Sequence, residues 1–126
     1  MTIYISTGGF RTSKAEDISS NFLNIGIDTI ELSGTIYHPN IIENLSNLKD
    51  KINFQIHNYF PPHKDPFVLN IASEDEEISK LTLDHIDYAL ESCRKLNSKF
   101  YSFHAGFLCD IKTHELGKKI KKKSLQ

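Results

Sequence analysis

Short runs of β-forming residues alternate along this chain with stretches in which apolar residues recur every three or four positions. Thr2 to Thr7 is rich in β-formers and ends at the turn signal Gly8-Gly9. Ser13 followed by Glu16 has capping-box spacing, and Ala15, Ile18, Phe22 and Ile25 then recur at helical intervals. Gly26 suits the left-handed backbone just past a helix end. Thr29 to Leu32 predicts a second strand. Pro39 and Asn40 open a second helix with Ile41, Ile42, Leu45 and Leu48 on its apolar side, and Ile52 to His57 predicts a third strand. The connection from Asn58 to Ser73 contains Pro61, Pro62 and Pro66, which cannot donate to a ladder, so it reads as an ordered loop or extended strip. Ser73 and Glu76 repeat the capping spacing, and the acidic residues Glu74 to Glu77 fall where a helix dipole favours them. Ile78, Leu81, Ile86, Ala89, Leu90, Cys93 and Leu96 predict the buried stripe of a long third helix. Phe100 to His104 predicts a fourth strand, closed by Gly106.

The order β-α-β-α-β-α-β implies parallel strands joined by right-handed crossovers. Alternation divides each strand into two faces. Ile3, Ile5, Ile30, Leu32, Phe54, Ile56, Tyr101 and Phe103 form an apolar set; Tyr4, Ser6, Thr29, Glu31, Gln55, His57, Ser102 and His104 form the opposite one. A doubly wound sheet is covered by helices on both sides, so its strands read as continuous apolar runs. One polar face fits a barrel better, with helices outside and the polar set turned to the interior. The expected fold class is α/β: the N-terminal half of a (β/α)8 TIM barrel, about four parallel strands with three connecting helices. A whole barrel of this kind takes about 250 residues, twice the 126 present.

Composition narrows the function classes. The length suits one domain, read as residues 1–110, followed by a Lys-rich tail or the start of a further unit at 111–126. A formal charge of −1 predicts no strong general attraction to nucleic acid or to an anionic membrane. No apolar run approaches the roughly 20 residues of a membrane span, and the N-terminus lacks the layout of a signal peptide. Cys93 and Cys109 have neither CxxC spacing nor disulfide density, which makes a reducing cytoplasm the expected compartment.

The candidate chemistry sits at strand ends. His57 and His104 close the runs Gln55-Ile56-His57-Asn58 and Ser102-Phe103-His104-Ala105, and Glu31 lies near the end of the second strand on the same face. Barrels keep their chemistry at the C-terminal ends of strands. Neutral imidazole ligates zinc, manganese or iron, and a nearby carboxylate serves as ligand, outer-sphere partner or base. The bland alternative makes all three ordinary polar barrel residues bonded to neighbours. Gly8 and Gly9 either approach a phosphate through backbone N–H groups or simply make a tight loop. Asn58 and Tyr59 either contact a sugar hydroxyl or form a strand-to-loop corner. His38, His63, His85 and His114 read as surface or helix-face residues. The Lys118 to Lys123 run reads as a solvated charge run.

Ile56-His57-Asn58-Tyr59-Phe60-Pro61-Pro62 with Leu69-Asn70-Ile71-Ala72-Ser73, and Phe103-His104-Ala105-Gly106, resemble the third- and fourth-strand motifs of the xylose isomerase-like TIM-barrel superfamily. That superfamily includes sugar-phosphate isomerases and epimerases and the bacterial apurinic-site endonucleases. The His-aromatic segment and the His-x-Gly run are similar to the endonuclease branch, where the two histidines, here His57 and His104, are zinc ligands. Glu31-Leu32-Ser33-Gly34 resembles the second-strand end of the isomerase-like members. The resemblance implies the first half of a barrel whose other ligands and proton-transferring carboxylates come from later strands.

Three functions are therefore expected. One is part of a metal-dependent sugar or sugar-phosphate isomerase or epimerase, with Glu31 as its carboxylate, a divalent Zn, Mn or Mg ion, and substrate contacts from Asn58, Tyr59, Gly8 and Gly9. Another is a fragment of a zinc-dependent apurinic-endonuclease-like phosphodiesterase, which the lack of a basic, aromatic-bearing surface disfavours. The third is a non-catalytic half-barrel that associates with a second copy or a complementary half through its open sheet edges.

Overall fold

The computed structural model describes residues 1–118. Strand β1 (Ile5–Ser6), helix α1 (Ala15–Asn24), β2 (Thr29–Leu32), α2 (Ile41–Ser46), β3 (Asn53–His57), α3 (Glu76–Lys95) and β4 (Tyr101–Ser102) follow in that order. Single 3-10 turns lie at Thr7–Gly9 and Thr113–Glu115. The strands form one parallel sheet in the order β1-β2-β3-β4. This is the expected α/β class, four parallel strands with three helices in a half (β/α)-barrel-like arrangement.

Register explains the two faces. Ile5 pairs with Ile30 and Ile30 with Phe54, while Leu32 pairs with Ile56 and Ile56 with Tyr101. Ile30, Leu32, Phe54 and Ile56 are buried with Ala15, Ile41, Leu45, Ala89 and Leu96 in one core cluster. Full burial of each large apolar side chain contributes about 1.5–3 kcal/mol. Ile56→Ala would forfeit about 2–5 kcal/mol through lost transfer energy and the cavity left behind. Ser6, Glu31, Gln55, His57 and Ser102 stand on the other, partly open face.

The outer strands are shorter than expected. At one edge Ile3 remains 64 % exposed, and at the other Phe103 remains 46 % exposed. Each outer strand has one ladder neighbour, so pairing holds only Ile5–Ser6 and Tyr101–Ser102. Past Ser102 the chain turns toward β3, and the His104 amide donates to Asn58 Oδ1 at 3.4 Å rather than to a strand.

Helix starts differ from the capping boxes expected. Asp75, not Ser73, caps α3: its carboxylate accepts from the Glu77 and Ile78 amides at 2.9 and 3.1 Å. Lys14 occupies the cap of α1 without a side-chain bond, and Glu16 turns instead to His38 and Asn44. Gly26 has φ 86°, as its place after α1 requires. The buried stripe of α3 runs through Thr82, His85, Ala89, Ser92 and Cys93, leaving Leu90 exposed. The bulkier Leu83 and Leu90 face outward.

Residues after β4 bond back to the β3–α3 connection. Asp110 accepts from Asn70 Nδ2 and Ser73 Oγ, both at 2.7 Å, and Thr113 Oγ1 donates to the Pro66 carbonyl at 3.3 Å. Of the Lys118 to Lys123 run, only Lys118 is among the described residues. Among those residues, no helix is long and apolar enough to cross a membrane.

Candidate functional site

The pairing of β3 with β4 sets His57 beside Ser102, and His57 Nδ1 lies 2.8 Å from Ser102 Oγ. His104, two residues past Ser102, lies beyond the end of β4 rather than closing a strand as expected, and so is not level with His57. The two rings nevertheless meet edge to face, with centroids 5.7 Å apart and planes at 73°. His57 is half-buried and His104 exposed.

Asn58 takes the corner role rather than that of a substrate contact. It is 2 % exposed and has φ 35°, a left-handed backbone that asparagine tolerates well. Its carbonyl accepts from His85 Nε2 at 2.9 Å and from the Tyr101 hydroxyl at 3.4 Å. Its Oδ1 accepts from the His104 amide, so one buried side chain couples the β3 end to the position of His104. His85 lies on α3, as the helix-face half of the expectation had it, but is 5 % exposed and so not a surface residue. Burial holds its pKa below the usual 6.5, with the charge of His63 adding to the effect and the Asn58 carbonyl opposing it. A carbonyl only accepts, so neutral His85 carries its proton on Nε2. Burial, with Cys93 adding to it, pushes the Tyr101 hydroxyl up to about 12, keeping it a donor.

Glu31 is not brought to the imidazoles. Its partner in register is Gln55, whose Nε2 lies 3.4 Å from its carboxylate, one same-face step before His57. Gly8 and Tyr59 come together instead in the wall of a cavity of about 550 Å³, formed by the β1–α1, β2–α2 and β3–α3 connections with His85 of α3 and Thr113 and Leu116 from the segment after β4. Gly9 is not part of that wall, nor are His57 and His104. Thr7, fully buried, ties the first two connections together: its hydroxyl donates to the Ser33 carbonyl and accepts from the Ser33 amide, both at 2.9 Å. A Cβ on Gly8 would meet Ser33 Oγ and Ser6 Oγ at 3.3 Å, so close packing accounts for this glycine.

Among the described residues, no group of three or more His, Cys, Asp or Glu side chains is placed to hold a metal ion. His57 and His104 together offer two nitrogens, where a zinc centre takes about four ligands. A histidine that ligates through one nitrogen is usually held by a hydrogen bond at the other, and Ser102 stands in that position for His57.

Sequence reasoning missed the parts played by Ser102 and His85, and the presence of Arg11, Lys64 and Thr35 in the wall of the cavity. Ser102 was visible as a member of the polar face. The 82–85–89–92 spacing also carried a signal for His85, although aliphatic residues at 81, 86 and 90 pointed to a neighbouring stripe. Nothing in the sequence marked the loop residues Arg11, Thr35 and Lys64 as neighbours.

No family model matches this chain, and no curated protein does. Among solved structures, the TTHB071 protein from Thermus thermophilus, in a form soaked with ZnCl2, is similar with a TM-score of 0.59 and 21 % identity. The match covers 91 % of this chain and 44 % of that one, so this chain spans less than half the length of that protein. At this identity the likeness speaks for the fold alone.

Proposed function

We propose that this chain supplies the His57–His104 side of a divalent-metal site in a half-barrel that acts on a sugar or sugar phosphate, by isomerisation or epimerisation. The observation that carries it is the imidazole pair with His57 Nδ1 against Ser102 Oγ. In the tautomer that donates from Nδ1, Nε2 keeps its lone pair free for a metal. Zn, Mn or Mg would polarise a substrate carbonyl there. Further ligands would come from outside the described residues, in keeping with a chain that spans 44 % of the Thermus protein. That protein's exposure to ZnCl2 favours zinc as the first ion to try.

Asn58 holds His104 through its amide, and Ser102 orients His57. Glu31, on the same polar face and paired with Gln55, would contact the substrate or act from the outer sphere of the metal, leaving proton transfer to carboxylates outside the described residues. Tyr59 and Gly8 belong to the substrate cavity. Cys93 and Cys109, both free, fit residence in a reducing cytoplasm.

The test is proton exchange into the carbon beside the carbonyl of an aldose or ketose phosphate, in deuterated water with added Mn²⁺ or Zn²⁺, using the native gene product that contains this chain. His57→Ala and His104→Ala should each lower the exchange rate at least about tenfold. Equal rates in both variants and the unaltered protein contradict the proposal. Metal-dependent nicking of abasic DNA, with no sugar exchange, would favour the phosphodiesterase alternative instead.

The scaffold alternative rests on a separate observation, the exposed Ile3, Ile5, Phe100 and Phe103 at the two sheet edges. Unpaired, apolar edge strands favour association with a second copy or a complementary half. Light scattering of the 126-residue chain decides it: a strictly monomeric, cooperatively folding species contradicts association.

A further inference from the structure

The cavity among the three strand-to-helix connections carries two cations and no carboxylate. Arg11 reaches it from the β1–α1 connection and Lys64 from the β3–α3 connection. Neither enters an ion pair among the described residues, and no Asp or Glu belongs to the described wall. Charges of one sign on a concave surface with low-dielectric walls focus their field and concentrate counter-ions. Two such cations suit a dianion better than a monocarboxylate or a neutral sugar.

Thr35 supplies an independent observation. It is 9 % exposed, belongs to the cavity wall, and its Oγ1 has no hydrogen-bond partner among the described residues. Buried hydroxyls are ordinarily paired, so an orphan one in a cavity wall points to a ligand that completes it. Tyr37 and Tyr59 add flat apolar surface suited to a sugar ring. Ser33, also in the wall, follows Leu32, the last residue of β2. A volume of about 550 Å³ is that of a small-molecule site.

We propose that this cavity anchors the phosphate group of a small phosphorylated substrate, with Arg11 and Lys64 neutralising the dianion, Thr35 bonding to one of its oxygens, and the carbon skeleton lying against Tyr37 and Tyr59. The sugar part of that substrate rests on the function proposed above; the phosphate anchor rests on the cavity alone. Arg11 offers a planar fork and Lys64 a point charge, both established means of holding phosphate.

Calorimetric titration of the 126-residue chain at low ionic strength tests it, with glucose 6-phosphate, inorganic phosphate, glucose and acetate as probes. Glucose 6-phosphate and inorganic phosphate are expected to bind, with glucose and acetate weaker by about tenfold or more. Arg11→Gln and Lys64→Gln should each weaken glucose 6-phosphate by about tenfold, and Thr35→Val by a smaller factor. Lys80→Gln, on an exposed helix position paired with Asp84, should leave affinity unchanged. Arg11 and Lys64 are exposed, so their variants should keep the parent circular dichroism. Glucose binding as tightly as its phosphate overturns the proposal, as does unaltered affinity in the Arg11→Gln/Lys64→Gln double variant. A His57→Ala/His104→Ala variant should retain phosphate affinity; loss there would move the anion to the imidazoles and overturn the placement. Retained phosphate binding without sugar proton exchange would reject the isomerase function while leaving the anchor standing.

Discussion

Replacing His85 by Phe tests the corner that supports both imidazoles. The ring keeps its place against Phe67, whose centroid lies 6.3 Å away, but the Asn58 carbonyl loses the closer of its two side-chain donors, Nε2 at 2.9 Å. The Tyr101 hydroxyl at 3.4 Å remains as a long and weak substitute. Leaving a buried acceptor short of its partner costs about 1–3 kcal/mol, and His85→Phe should lose that amount in urea unfolding followed by circular dichroism at pH 7.5. The pH dependence should change as well. Burial lowers the folded pKa of His85 below 6.5, so the unfolded chain binds its proton more readily than the folded one. His85 therefore contributes no pH slope well above 6.5, and stability falls as pH drops from 6.5 through the lowered folded value. The unaltered protein should be less stable at pH 5.5 than at 7.5, and the Phe variant should show a smaller difference. A variant that matches the unaltered protein at pH 7.5, or keeps the whole acid loss, refutes the placement of His85.

Other elements give independent expectations. Asp75→Ala removes the acceptor for two amides at the start of α3 and should cost about 1 kcal/mol in the same unfolding assay, more than Ser73→Ala. Gly106→Ala should cost about 2–4 kcal/mol, because φ is 137° and a Cβ would lie 2.7 Å from Asn70 Oδ1, which already accepts from the Ala72 and Phe107 amides. Burial alone would raise the pKa of Glu16, but hydrogen bonds from Asn44, the main chain and His38, with the charge of His38, more than offset it and leave it below 4.5. Its stabilisation is present above 4.5 and lost as pH falls through the lowered value, so Glu16→Gln should flatten that acid limb of the stability curve.

The sheet was legible because period-two alternation is local: Ile30, Leu32, Phe54 and Ile56 on one face, Glu31, Gln55 and His57 on the other, need only the strand assignment. Helical periodicity likewise located all three helices. Details that depend on neighbours across the fold were not legible. Glu16 has the spacing of a capping residue, but Lys14 rather than Ser13 precedes the helix, and Glu16 bonds to His38 and Asn44 from the next unit. Asp75, not Ser73, directly precedes the first turn of α3, and Ser73 Oγ instead accepts from the Asp75 amide and donates to Asp110, 37 residues away. The inward turn of His85 on its helix was not legible because its acceptor, the Asn58 carbonyl, is set by a left-handed corner at the end of another strand. The pairing of His57 with His104 was anticipated from their strand ends, but the offset of His104 and the Ser102 contact follow from register, which one strand alone does not reveal.

Whether His57 and His104 share one metal ion is decided most directly by zinc titration of the 126-residue chain, followed through the imidazole nitrogen resonances. The Nε2 signals of both rings are expected to shift together along one binding curve, with Ser102→Ala weakening it by about 10–100-fold and His57→Ala abolishing the response of His104. Separate curves for the two rings, or a His104 response unaltered by His57→Ala, would contradict a shared site.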